Sequence, residues 1–272
     1  MISDLEADRV VEAVFAVKSK RRLRTKGGAA YLALELVDPT GHIDARVWND
    51  VELLDGRFDE GDAVRVLGRV ERFRDRLQLD VRTLEASDVD PVTLTPAMRR
   101  DPAELQGFLE FLVDEISHPG LAATVRATLA GRDLVAFPAT LGDHHSYAGG
   151  LLEHTVGVAT LCRESAQLHP RLRSELLLAA AIVHDVGRTV ELGRGPAFTP
   201  TAEGRLLGHV HLGLRAIEAA ADGLTDTQQA ELLHCVASHH DLRAARTAEA
   251  AVLYHANQLD AIAATRPIKT DE

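Results

Sequence analysis

The stretch Leu177-Leu178-Ala179-Ala180-Ala181-Ile182-Val183-His184-Asp185-Val186-Gly187-Arg188 begins as a wholly apolar helix and sets a histidine beside an aspartate near its end. An ionised carboxylate on such a helix is costly unless a cation or a hydrogen-bonding partner compensates it. A divalent metal supplies that compensation, with imidazole nitrogen and carboxylate oxygen as ligands. Neighbouring residues on a helix diverge by about 100°, so His184 and Asp185 reach one ion only if other helices bring further ligands. Taken alone, the pair reads equally well as a polar helix end turned to solvent.

The surrounding sequence supplies such helices. From Asp101 onward the apolar residues Leu105, Phe108, Leu109, Leu112 and Ile116 recur at helical spacing. Pro119-Gly120 breaks that helix, and further helical segments follow at about 120–130, 150–167, 172–186, 205–222, 225–238 and 247–263. Of 13 histidines only His42 precedes this region. His154 ends Gly149-Gly150-Leu151-Leu152-Glu153-His154, and His209 sits in Leu206-Leu207-Gly208-His209-Val210-His211. His239-His240 follows an apolar run, and Asn257 and Asp260 lie in Tyr254-His255-Ala256-Asn257-Gln258-Leu259-Asp260. Separate helices each bringing a ligand to one point is how an all-α domain builds a dinuclear site. His169, His211 and His234 read as ordinary helix residues, and Glu153 as a surface acid.

Residues 8–85 read as strands instead. Val10 to Val17 is β-rich, Tyr31 to Val37 alternates, and Asp38-Pro39-Thr40-Gly41 is turn chemistry. His42 to Trp48 puts Ile43, Ala45 and Val47 on one face and Trp48 on the other. A short helix reaching about Leu54 precedes strands at 63–70 and 77–84. Five strands with a helix between the third and fourth is the layout of an OB-fold barrel. Lys18, Lys20, Arg21, Arg22, Arg24 and Lys26 form a basic run without an acid, read as a loop between the first two strands. OB-folds use such a loop to track a phosphate backbone, with aromatics such as Trp48 stacking on bases. The same run also reads as a solvated hairpin tip. The expected organisation is an all-β OB-fold barrel at 1–88, a Pro-containing linker at 89–100, and an all-α domain at 101–272.

The net charge of −11 argues against nucleic-acid binding over the whole surface but leaves a local basic patch open. Cys162 and Cys235 lack ligand spacing and read as core residues of a protein in a reducing compartment. The acidic start is unlike a signal peptide, and no apolar run approaches the ~20 residues of a membrane span. A cytoplasmic protein is expected.

The order His154, His184-Asp185, His209, His239-His240 and a late acid or amide resembles the HD superfamily of metal-dependent phosphohydrolases. The fuller text is similar to the YhaM-type 3′–5′ exoribonucleases, in which an OB-fold precedes an HD domain. The matching stretches are His144-His145 to His154, the His184-Asp185 helix, Glu203-Gly204-Arg205-Leu206-Leu207-Gly208-His209 and Ser238-His239-His240. The resemblance implies hydrolysis of phosphodiester bonds of single-stranded RNA, and of DNA as a second substrate, from the 3′ end. It implies two divalent ions bridged by Asp185, one held by His154, His184 and Asn257, the other by His209, His239 and His240. Histidine-rich ligation suits Mn²⁺ best, then Fe²⁺, Co²⁺ or Ni²⁺. His144, His145 and Arg188 fall to substrate phosphate or to support of the ligands. Three departures stand out: Arg188 occupies a lysine position, the segment from Asp241 to Glu249 is short, and the closing aspartate aligns with Asn257, leaving Asp260 as an alternative ligand. The alternatives are an HD phosphohydrolase acting on nucleotides or cyclic dinucleotides, and a non-catalytic nucleic-acid-binding protein with a degenerate metal site. RNA against DNA and oligomeric state stay open.

Overall fold

The computed structural model describes residues 1–142 and 144–265, so the last seven positions of the expected helical domain lie outside the described residues. The chain divides into two compact units: Met1–Ala97 with Arg194–Thr199, and Met98–Gly193 with Pro200–Glu272. The stretch expected as a linker contains a 3-10 turn at Pro91–Leu94, capped by Asp90.

The first unit is a closed barrel of five strands: β1 (Val10–Arg24), β2 (Ala30–Asp38), β3 (Gly41–Val47), β4 (Ala63–Phe73) and β5 (Arg76–Ala86), in the order β1-β2-β3-β5-β4. The alternation read in the sequence closes it. Ile43, Ala45 and Val47 point inward with Phe15, Leu32, Leu34, Val64, Val66 and Leu79, and β3 pairs parallel to β5. Helix α1 (Val51–Asp55) buries Val51 and Leu54. All five strands and the helix position were legible in the pattern. The basic run was not.

It is no loop. β1 extends through Arg24, and a bulge at Lys18 between Val17 and Ser19 resets its pairing with β2. Acids from other elements explain how so many cations tolerate one strand. Lys18 Nζ pairs with Glu35 at 3.0 Å, and Arg22 with Glu52 and Asp55. Lys20 Nζ donates to the Asp55 and Phe58 carbonyls at 2.8 and 2.6 Å and lies over the Phe58 ring. Cross-strand and long-range pairing of this kind removes the repulsion that a run of like charges implies. Arg21, Arg24 and Lys26 remain exposed. Trp48, also exposed, stacks on Tyr31 with ring centroids 4.8 Å apart.

The second unit is helical: α2 (Pro102–Asp114), α3 (Pro119–Leu129), α4 (Gly150–Leu168), α5 (Ser174–Val183), α6 (Arg188–Glu191), α7 (Ala202–Ala220), α8 (Asp226–Ser238) and α9 (Ala248–Thr265). Every residue of α5 from Leu176 to Val183 is buried. A helix apolar on all sides belongs in the interior, and α2, α3, α4, α8 and α9 pack around it. That placement decides where the chemistry goes, because α5 delivers whatever follows Val183 into the middle of the bundle. Among the described residues no helix is long and apolar enough to cross a membrane.

Candidate metal centre

Residues 184–187 form a turn between α5 and α6, so the His184-Asp185 pair sits at the C-terminal end of the buried helix. His184 is fully buried and Asp185 nearly so. His184 caps α5, its Nδ1 donating to the Ala181 carbonyl at 2.8 Å. His239 repeats the device at the end of α8, donating from Nδ1 to the Val236 carbonyl at 2.5 Å. Carbonyls in a last helical turn lack intrahelical partners. Each histidine satisfies one of them and so turns Nε2, with its lone pair, outward. Two helix C-termini, the negative ends of their dipoles, thus converge on one spot, which favours a cation there.

His154 arrives from α4, His209 from α7, and His240 follows His239 just past α8. His154 Nε2 and His184 Nε2 lie 3.2 Å apart and each 3.9 Å from Asp185 Oδ2. On the other carboxylate oxygen, His209 Nε2 stands 3.3 Å and His239 Nε2 3.4 Å from Asp185 Oδ1. His240 Nε2 is 2.8 Å from His209 Nε2. Three groups of side chains have metal-ligand spacing: His154, His184, Asp185 and Asp185, His209, His239, His240 share Asp185, and His145, His154, Asp260 lie behind them. Asp185 Oδ1 and His239 Nε2 are buried without a hydrogen-bond partner. Buried polar atoms are rarely left so. Lone pairs facing one another need an electrophile between them, and a divalent cation fits that donor set.

Close helix approach makes this possible. A Cβ on Gly187 would lie 1.9 Å from the His209 carbonyl oxygen, so only glycine lets α7 come down beside the turn. Gly208 breaks α7 with φ +69°, aiming His209 inward from what the sequence presents as one continuous helix.

Burial alone would raise the Asp185 carboxyl, but the facing His184, His239, Arg188 and His209 outweigh it and hold it well below the usual range. Burial pushes His184 down to about 3. The unfolded chain takes up that proton near pH 6.5 and the folded metal-free chain refuses it, so stability falls as pH drops through 6.5 toward 3. For His184 this is on the order of 1 kcal/mol per pH unit. Chelator-treated protein should therefore melt at a lower temperature at pH 5.5 than at pH 7.5; equal midpoints would contradict a neutral, buried His184.

Three further expected residues have hydrogen-bond partners around the site. Asn257 is buried, and its Nδ2 donates to the His239 carbonyl at 3.3 Å. Asp260 lies behind His154, where its Oδ2 meets Nδ1 at 2.7 Å. His145 has both ring nitrogens in hydrogen bonds, to Tyr147 and Asp260. His144 lies against the His154 ring, centroids 5.1 Å apart. Arg188 donates from Nη1 to Glu191 at 2.7 Å, with its buried Nε unpartnered 3.8 Å from Asp185. Glu191 was missed in the sequence. Its Oε1 accepts from the His209 backbone N–H at 3.2 Å and its Oε2 is 3.5 Å from His209 Nδ1. Its one signal was a carboxylate three residues after Arg188.

Comparison with known proteins agrees with the architecture. The HD domain family matches residues 151–262, and the family described as OB-fold nucleic acid binding domain matches residues 14–86. The second match falls on the five-stranded barrel and the first on the helical unit. It is similar to the 3′-5′ exoribonuclease YhaM of Listeria welshimeri, 29% identical over 245 residues that make up 87% of this chain and 78% of the relative. The YhaM of Listeria monocytogenes matches with the same identity and coverage. The YhaM-type resemblance read from the histidine motifs therefore holds. Among solved structures, the second OB-fold domain of replication protein A from Methanococcus maripaludis is 25% identical over 32% of this chain and 93% of its own, with a TM-score of 0.27.

Proposed function

We propose that the chain is a metal-dependent 3′–5′ exonuclease that hydrolyses single-stranded RNA, with DNA as a second substrate. The observation that carries this is the pair of imidazole groups on the two oxygens of a single buried Asp185. In this reading His154, His184 and Asp185 would hold one divalent ion, with Asn257 as a further donor, and Asp185, His209, His239 and His240 would hold a second. Mn²⁺ is the favoured ion for so nitrogen-rich a set.

Bound ions of this kind lower the pKa of a water and neutralise charge on the attacking and leaving oxygens. The chain's residues supply the rest. Arg188, planar and permanently charged, stands 3.8 Å from Asp185 and offers a buried Nε to a phosphate oxygen. His144, half-buried next to His154, would offer a second contact to that phosphate. In the reaction a water oxygen bonds to phosphorus, the P–O3′ bond breaks, and the departing 3′-oxygen takes a proton, releasing a nucleoside 5′-monophosphate. The barrel holds the strand. The 3′-to-5′ direction is that of the similar 3′-5′ exoribonuclease YhaM. The free, buried Cys162 and Cys235 suit a reducing cytoplasm.

The test uses 5′-labelled RNA and DNA of one sequence, with and without Mn²⁺. RNA should shorten progressively from its 3′ end, and chelation should stop it. Intact oligomers beside hydrolysed nucleotides or cyclic dinucleotides would make the protein a nucleotide phosphohydrolase. A preparation that binds oligomer but no metal would make it a non-catalytic binding protein.

A further inference from the structure

His184 and His239 cap their own helices, so their tautomers are fixed locally. His154 cannot do this. It lies within α4, where helix bonds already occupy the carbonyls, and its Nδ1 needs an acceptor from elsewhere. Asp260 on α9 provides it at 2.7 Å. The same oxygen, Oδ2, accepts from His145 Nε2 at 3.0 Å. Those two bonds outweigh burial and hold the Asp260 carboxyl below its ordinary range.

The surroundings are built for this contact. A Cβ on Gly157 of α4 would lie 2.2 Å from Asp260 Oδ1, so a side chain there would drive the carboxylate off its place. His145 adopts φ +48°, a left-handed conformation that is costly for a residue with a Cβ. Its carbonyl accepts from Ala139 N at 3.1 Å, which helps hold that conformation. On the far side of the ring, Tyr147 donates its hydroxyl proton to Glu153 at 2.7 Å, and its oxygen lies 2.9 Å from His145 Nδ1. His145 is thereby clamped between Tyr147 and Asp260.

We infer that Asp260 is a positioning residue, seconded by His145 and made possible by Gly157, that keeps the proton of His154 on Nδ1 and presents Nε2 to the metal. This rests on the proposed metal site and changes the part Asp260 plays there, from ligand to support. Carboxylates behind metal-bound histidines fix ring orientation and raise ligand basicity, and losing one typically weakens metal binding 10–100-fold.

The test is a Mn²⁺ titration of the full, metal-stripped chain without nucleic acid, reading the number of ions and their dissociation constants. Asp260→Asn and Gly157→Ala should both keep the wild-type number of ions and weaken one by roughly 10–100-fold. Gly157→Ala reaches the same result without altering any charge, and His145→Gln, which spares Asp260 itself, should weaken the same ion by less. Outright loss of one ion in Asp260→Asn, with Gly157→Ala binding as wild type, would make Asp260 a ligand and overturn the inference. So would wild-type affinity in folded Asp260→Asn and Gly157→Ala, even with lowered melting temperatures. A wild-type chain that binds no Mn²⁺ at all would instead overturn the proposed function, and the inference with it.

Discussion

Asp185→Asn is expected to lower kcat/KM on RNA by at least about 10³-fold, ~4 kcal/mol of transition-state stabilisation, and to strip the protein of bound metal. Both losses follow from one arrangement. Asp185 is almost wholly buried, and its Oδ1 has no hydrogen-bond partner. Its nearest neighbours are imidazoles. Without metal, the facing side chains outweigh burial and hold the carboxyl ionised, well below its usual range. With metal, the charge is what the cations bind, and metal that binds only the folded state adds stability by mass action. Wild type should therefore gain melting temperature on addition of Mn²⁺ while Asp185→Asn gains none. Calorimetry with and without Mn²⁺, beside metal analysis and turnover, reads all three effects. An Asp185→Asn protein that still gains stability from Mn²⁺ and degrades RNA would remove Asp185 from the centre of the site.

The residues that gather around Asp185 were legible because each comes with a periodic signal. His184 and His239 follow apolar helical runs, and the structure shows why that signal works: both cap a buried helix end with Nδ1 and face the interior with Nε2. His154 and His209 sit on helices whose apolar faces were also readable. What stayed illegible was the support behind them. Glu191 and Asp260 contact their histidines from other helices, α6 against α7 and α9 against α4. No spacing within one segment encodes such a contact. Asp260 looked like a spare ligand because it lies three residues from Asn257, on the same side of α9. The structure spends it on the opposite edge of the imidazole. Likewise, the break at Gly208 is invisible in a sequence whose apolar period continues across it.

The barrel shows the same division. Strand count, the inward faces and the helix position came from period-2 alternation and turn residues. The basic run misled because its partners are distant in sequence: Glu35, Glu52, Asp55 and Asp59 meet Lys18, Arg22 and Lys20 only after folding. A run of like charge read in one dimension says nothing about acids that cross it in three.

That correction sharpens what the barrel should do with nucleic acid. Only Arg21, Arg24 and Lys26 of the run are exposed on the hairpin without the ion pairs that occupy Lys18, Lys20 and Arg22. If each neutralises one phosphate, replacing all three with alanine should reduce the slope of log affinity against log salt for single-stranded RNA by roughly 2. Lys20→Met should leave that slope alone. It should instead lower stability by about 1–3 kcal/mol, because the Asp55 and Phe58 carbonyls lose a charged donor. Trp48 is the larger lever. Its ring is about half exposed and stacked on Tyr31, a platform on which a base can continue the stack. Stacking on such a platform is worth about 1–3 kcal/mol per base, so Trp48→Ala should weaken binding by roughly 5–150-fold at unchanged salt slope. Separating the two effects matters, since charge and stacking would otherwise be confounded in one affinity. Fluorescence anisotropy of a labelled RNA from 50 to 300 mM salt, with the three variants side by side, makes the separation. Were Lys20→Met to change the slope and the triple variant not, the paired cations would be the phosphate contacts and their acids would have to give way on binding. Were Trp48→Ala to bind as wild type, the exposed Tyr31–Trp48 stack would have no part in holding the strand.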